Sequence, residues 1–345
     1  MEIKQLLFQC GKMRASDLHL SPGLPPIVRV NGDLQRLPHP APSAAQLEQT
    51  LLALMDSVAR QDFAQQRCCD FRLQTETSDS CRVHVYVQSL GCAAAIRFIP
   101  AQPKSMTELG LPPILQHIVN CPRGLVLVTG PSGSGKSTTL AAMLRFRAEH
   151  RPGHIVTLED PIEYVHQSQH SLVTQFQECS TSSDYSVKLR QLLRQDPDVI
   201  MLGEMRDAAT IKLALEAAET GHLVLSTLHT RSARNAVARI VSGMAPHAQE
   251  GILAQIALSL TAIVAQILVK SADGARRIAA HEILLATHAV RHLIRDNRMA
   301  QLESLLQSSQ HLGMQTLEQD LTRLVNSGQI TALEAKGQNE LYWIA

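Results

Sequence analysis

From Arg123 onward, short apolar runs alternate with longer segments in which apolar residues recur every three or four positions. Leu125-Val126-Leu127-Val128 and residues 154–158, 199–202 and 223–227 have the length and apolar density of buried strands, whereas 138–148, 186–194 and 208–219 carry helical spacing. That alternation predicts an α/β fold with a mostly parallel sheet and helices on both faces. The preceding stretch reads as a smaller α/β domain. Residues 27–30 and 82–87 alternate like strands, Asn31-Gly32-Asp33 marks a hairpin turn, and 47–64 reads as one helix. Pro100-Ala101-Gln102-Pro103 is a linker signal. The expected organisation is an N-terminal domain over 1–100, a linker over 101–122 with a short helix near 113–119, and a second domain over 123–345 that is helical from Ile283 onward. The uncharged stretch 251–269 sets Ile252, Ile256, Leu260, Ile263 and Ile267 on one helical stripe, with Gln255, Ser259 and Gln266 beside it. This predicts an amphipathic helix in a soluble core rather than a membrane span.

The strand ending at Val128 runs into Gly130-Pro131-Ser132-Gly133-Ser134-Gly135-Lys136-Ser137, followed by Thr138 and the helical segment. The sequence satisfies G-x-x-x-x-G-K-[ST] in the strand–loop–helix context that gives the pattern meaning. Its glycines let backbone N–H groups turn toward phosphate oxygens, and the helix N-terminus adds its dipole. Lys136 supplies a charge for the β- and γ-phosphates, and Ser137 a hydroxyl for Mg²⁺. The expectation is a nucleoside triphosphate site for ATP with Mg²⁺.

Three further segments place polar residues at strand ends. Asp196 to Glu204 is an apolar strand ending in a carboxylate, with Gly203 where many such enzymes have aspartate. Thr157-Leu158-Glu159-Asp160-Pro161-Ile162-Glu163 is a second strand running into a carboxylate cluster. In a parallel sheet such ends converge, so Glu159, Asp160 or Glu163 is placed to orient or deprotonate water. His222 and His229 bracket a third strand and are too far apart to share a metal. His281-Glu282 lacks the second histidine of a zinc-protease motif, since position 285 is leucine.

Length and composition narrow the picture. A chain of 345 residues exceeds one ordinary core. A net charge of +1, scattered basic residues and 3% aromatics argue against a nucleic-acid motor. The N-terminus lacks the apolar core of a signal peptide. Seven cysteines without a CxxC pair read as free thiols in a reducing cytoplasm.

Taken together, these segments resemble the secretion ATPases of type II and type IV secretion and of type IV pili. The retraction branch is the most similar, through Ala15-Ser16-Asp17-Leu18-His19-Leu20-Ser21, Arg29-Val30-Asn31-Gly32, residues 221–233, His281-Glu282-Ile283, residues 289–296 and Leu312 to Leu317. The resemblance implies a PAS-like N-terminal domain joined to a RecA-like ATPase domain with helical C-terminal elements, assembled as a homohexamer. It assigns Glu163 as general base, Glu204 as the Walker B glutamate, and His222 and His229 as a pair that contacts the γ-phosphate and metal. Arg82 and Arg97 match arginines that reach a nucleotide across a subunit boundary. It also implies docking to a pilus platform protein on the cytoplasmic face of the inner membrane, with no membrane segment of its own. Direction follows from Ala289 to Asp296, which marks the retraction branch, and from the lack of a four-cysteine insertion. Pilus assembly or secretion, and a nucleotide-gated scaffold with little hydrolysis, are the competing readings. The departures are Phe176-Gln177-Glu178 after Gln175, the unusual 179–183, and His292 in place of asparagine.

Overall fold

In the computed structural model, residues 3–13, 15–74, 80–99, 102–177, 185–205 and 207–337 are described, and the chain divides into units 1–102 and 103–345. The first unit contains α1 (Ile3–Lys12), β1 (Asp17–Leu20), β2 (Ile27–Val30), β3 (Asp33–Arg36), α2 (Ala44–Leu54), α3 (Ser57–Gln66), β4 (Cys68–Gln74), β5 (Ser80–Gln88) and β6 (Gly91–Ile99). Its six strands form an antiparallel sheet in the order β3-β2-β1-β6-β5-β4. Asn31 and Gly32 close the predicted hairpin at φ 52° and 99°, the left-handed backbone that such a two-residue turn requires. The helix expected over 47–64 is two helices. Asp56 breaks it by accepting the Ala59 N–H at 2.8 Å as the N-cap of α3, a role aspartate fills better than a helix interior.

Alternation along β5 turns Cys81, Val83 and Val85 inward against Leu47, Leu51 and Phe63, with Leu18, Val28 and Ile96 completing the core. Each such fully buried aliphatic side chain contributes about 1.5–3 kcal/mol relative to exposure. The opposite face carries Arg82, His84 and Arg97. Among the described residues the cysteines are free thiols, and Cys179 lies outside them.

The second unit contains α4 (Ile114–Val119), β7 (Gly124–Thr129), α5 (Lys136–His150), β8 (Gly153–Glu159), β9 (Ser171–Gln177), α6 (Tyr185–Leu192), β10 (Val199–Leu202), α7 (Ala208–Thr220), β11 (Leu223–Leu228), α8 (Ala233–Ser242), α9 (Gln249–Ser259), β12 (Leu260–Lys270), β13 (Arg277–Leu285), α10 (His288–Arg295), α11 (Leu302–Ser308) and α12 (Leu317–Asn326). Seven strands run in the order β13-β12-β7-β11-β10-β8-β9, every neighbouring pair parallel except β12 with β13. Residues 103–122, expected as a linker, belong to this unit. Met106, Leu111, Leu115, Ile118 and Val119 share a core with Val126, Val128, Leu140 and Met143.

The helix predicted over 251–269 is also corrected. It ends at Ser259, and the remainder is β12, a central strand between β7 and β13. Thr261, Ile263, Val264, Ile267 and Val269 favour extended backbone, and a strand buried on both faces shows no alternation to betray it. Ile283 therefore falls in β13, and the helices resume at His288. The free edge of β13 is covered: Ile283 exchanges backbone hydrogen bonds with Gln315, and Asp320 of α12 accepts the His281 N–H at 2.9 Å. Arg291 of α10 spans back to the end of α9. Its guanidinium donates to the carbonyls of Ala257, Leu258 and Leu260 at 2.6, 2.5 and 2.7 Å, groups a helix terminus otherwise leaves unsatisfied.

Candidate nucleotide and hydrolysis site

The loop 130–135 turns between β7 and α5 at the C-terminal edge of the parallel sheet. Gly130 and Gly135 sit at φ 150° and 88°. Conformation is only half of their requirement. A Cβ on Gly130 would collide with the backbone carbonyl of Gln266, and one on Gly135 would stand 2.9 Å from the Gln266 Nε2. Gly135 is also the N-cap of α5 and brings no side chain to its first N–H groups, which leaves them as anion donors. Lys136 is 8% exposed and donates to the Gly130 and Pro131 carbonyls at 2.9 and 3.0 Å. Burial pulls its ammonium below the ordinary lysine value, and the carboxylates of Glu204 and Glu163 oppose that pull. Both carboxylates therefore act on the loop's one cation.

Glu204 follows β10, as expected, and its Oε1 lies 3.6 Å from Nε2 of His229, which follows β11. Gly203, which precedes Glu204, donates its N–H to the Leu158 carbonyl and accepts the Thr227 hydroxyl at 2.6 Å. Glu159 ends β8 and is 6% exposed. Burial raises its pKa, against hydrogen bonds from the Thr157 hydroxyl (2.7 Å), Gln175 Nε2 (3.1 Å) and the Glu163 N–H (3.3 Å). Glu159 is thus the anchor of the acidic loop and Glu163 its outlying carboxylate. Gln175 makes the fold of that loop specific by donating also to the Tyr164 carbonyl and accepting the His166 N–H. The Tyr164 hydroxyl pairs with Thr138 Oγ1 at 2.9 Å, which ties the acidic loop to the first turn of α5.

The two histidines do not form a pair. His222 precedes β11 and is held at the other end of the sheet, where its Nδ1 lies 3.0 Å from the Ala217 carbonyl. Seven residues of extended chain, roughly 23 Å, separate it from His229. Strand direction is the reason: only the C-terminal ends of parallel strands meet at the loop.

Arg82 and Arg97 are brought together in the first unit as directly opposed residues of β5 and β6. Cross-strand register extends this into a row across five strands, Arg29–Asp17–Arg97–Arg82–Arg72, all on the face opposite the core. Arg97 donates to Asp17 at 3.0 Å while 63% exposed, and Arg82 donates to Asp70 at 3.3 Å.

The loop fits a polyphosphate on its own geometry. Among the described residues, Thr129 Oγ1 and Ser134 Oγ are buried with no hydrogen-bond partner. At Gly130 and Gly135 the cradle has space only for glycine, and the buried lysine lies within the electrostatic influence of two carboxylates. The oxygen donors of Ser137 and Glu204 suit Mg²⁺, which takes few protein ligands and completes its shell with phosphate oxygens and water. The sequence signals had named Lys136, Ser137, Glu163, Glu204 and His229 as candidates. They gave no hint of Gln266 or Thr139, because Gln266 had been set on the polar flank of a helix that ends seven residues before it.

Residues 2–337 match the family described as type II/IV secretion system protein. The chain is 44% identical over 336 residues to the type IV pilus retraction ATPase PilT of Pseudomonas aeruginosa, covering 97% of each chain. It is 45% identical over 316 residues to a twitching motility protein of Neisseria gonorrhoeae, covering 91% of this chain and 84% of that one. A crystal structure of the pilus retraction motor PilT with bound ADP superimposes with a TM-score of 0.87 at 37% identity, covering 97% and 96% of the two chains.

Proposed function

The chain belongs to the type II/IV secretion system protein family, and on that premise we propose that it is a Mg²⁺-dependent ATPase that powers retraction of a type IV pilus. The observation that carries this reading is the convergence of Lys136, Glu163, Glu204 and His229 on one edge of the sheet, in a chain similar throughout its length to retraction ATPases. ATP lies with its phosphates on the N–H groups of 133–137 and its γ-phosphate toward Lys136. Ser137 and Glu204 would hold Mg²⁺, which when bound would supply positive charge to the phosphates. Glu163, standing off the buried Glu159, takes a proton from water as the water oxygen attacks the γ-phosphorus. The bond to the β–γ bridging oxygen breaks, and the Lys136 charge stabilises the departing ADP. His229 holds the Glu204 carboxylate in place.

In this reading the protein works as a homohexamer at the cytoplasmic face of the inner membrane, docked to a pilus platform protein. Among the described residues no helix is long and apolar enough to cross a membrane. Arg82 and Arg97, with side chains 42% and 63% exposed and held at Nε by Asp70 and Asp17, act on the neighbour's nucleotide. Mixing Arg97→Ala with Lys136→Ala protein tests this: each subunit supplies what its neighbour lacks, so partial recovery of phosphate release is expected. No recovery in demonstrably mixed rings would count against action in trans.

Direction is tested in the cell. A deletion strain is expected to keep surface pili, often in excess, and to lose retraction and twitching. Bald cells would instead assign the protein to assembly.

A further inference from the structure

Gln266 lies on β12, outside every motif that identifies the site, yet its side chain hydrogen-bonds directly to the P-loop. It is 2% exposed. Its Nε2 donates to the Ser134 carbonyl at 2.7 Å, its Oε1 accepts the Thr139 hydroxyl at 2.7 Å, and both bonds are buried. Its backbone carbonyl occupies the space that a side chain on Gly130 would need, and its amide nitrogen the space that one on Gly135 would need. A single residue thus underlies the first glycine of the loop, the last glycine, and the first turn of α5.

We propose that Gln266 is a positioning residue for nucleotide binding, which holds the Ser134–Gly135 peptide so that its N–H faces the phosphates. The argument is one of peptide geometry. In a planar trans peptide the C=O and N–H point in opposite directions. With the Ser134 oxygen drawn down onto the Gln266 amide, the Gly135 N–H is turned up into the loop. Gly135 has the conformational freedom to flip that peptide, so the loop needs an external hold on its orientation. Carboxamide chemistry suits the task because one group donates to the loop and accepts from α5 at once. A carboxylate there would meet the Ser134 carbonyl oxygen with no proton to offer. An aliphatic side chain would leave two buried polar groups without partners.

The inference rests on the reading that this loop binds nucleotide, so the parent protein is the first control. ADP affinity is measured by calorimetry, kcat and KM by phosphate release, and stability by thermal unfolding. Parent protein that binds no ADP would remove the nucleotide reading itself. Given binding by the parent, Gln266→Met, which keeps volume and loses both hydrogen bonds, is expected to weaken ADP at least tenfold. KM should rise in parallel while kcat changes less than threefold, the split expected for interactions made equally in the ground and transition states. Thr139→Val, which cuts only the link to α5, is expected to stay within threefold of the parent in ADP affinity. Gln266→Met with ADP affinity within threefold of the parent would overturn the proposal, and so would an equal loss in Thr139→Val, because helix packing would then account for the effect. Should Gln266→Met fail to fold, Gln266→Asn takes its place under the same criteria, since the shorter amide keeps its polarity and cannot reach Ser134.

Discussion

Lys136→Ala is expected to weaken ADP at least a hundredfold and to reduce ATP hydrolysis to about 1% of the parent rate or less. The ammonium is the only cation placed inside the loop by the sequence motif, and its present partners are two backbone carbonyls rather than a carboxylate. Phosphate oxygens replace neutral acceptors with charged ones, and hydrogen bonds to charged groups are worth roughly 1.5–3 kcal/mol each. Two such bonds account for a factor of about 10² to 10⁴ in binding. Calorimetry with ADP and steady-state phosphate release check both numbers. Retention of ADP affinity within tenfold would show that the loop's N–H groups and the dipole of α5 suffice, and that Lys136 is dispensable for binding.

Glu204→Gln should separate binding from turnover. The substitution preserves shape while removing the charge that acts on Lys136 and lies beside His229. ADP affinity is expected within about threefold of the parent, with kcat reduced roughly 10²- to 10³-fold, the scale on which removal of one preorganised electrostatic group is felt. The same two assays apply, and kcat within threefold of the parent would remove Glu204 from the catalytic set.

The P-loop, the strands that lead into Glu159 and Glu204, and the alternation of β and α elements were all legible in the sequence. Each rests on a local signal: a glycine pattern, an apolar run of strand length, a helical stripe. What escaped was non-local. Residues 260–270 carry the apolar density of a central strand, and a helical stripe can be drawn through them equally well, because full burial erases the period that distinguishes the two. That misreading concealed β12 and put Gln266 on the wrong element, while the separate reading of helix from Ile283 onward cut across β13. The pairing of His222 with His229 failed for a different reason. The residues themselves set the two histidines at opposite ends of one strand, as found; only the family resemblance paired them, and an extended strand carries its two ends apart. The row Arg29–Asp17–Arg97–Arg82–Arg72 was invisible as a row, since strand register decides which residues stand opposite one another. Residues 178–184 and Arg206 lie outside the described residues, so Glu178 and the unusual 179–183 keep only their sequence description.

Arg291 changes how any test of α10 as a partner-binding surface should be read. Its charge is spent inside the molecule on three carbonyls at the end of α9, so an Arg291→Ala phenotype belongs with the scaffold's defects and reports on folding before recognition. His292 and Arg295 are among the outward residues of the same helix, with His288 and Ala289, and Asp296 lies 3.1 and 3.6 Å from the first two. That trio is close to electroneutral at short range. A partner meeting those three side chains would read shape and directed hydrogen bonds, with little long-range attraction from the trio itself. An alanine scan restricted to His292, Arg295 and Asp296, with unfolding midpoints held constant, isolates recognition from fold.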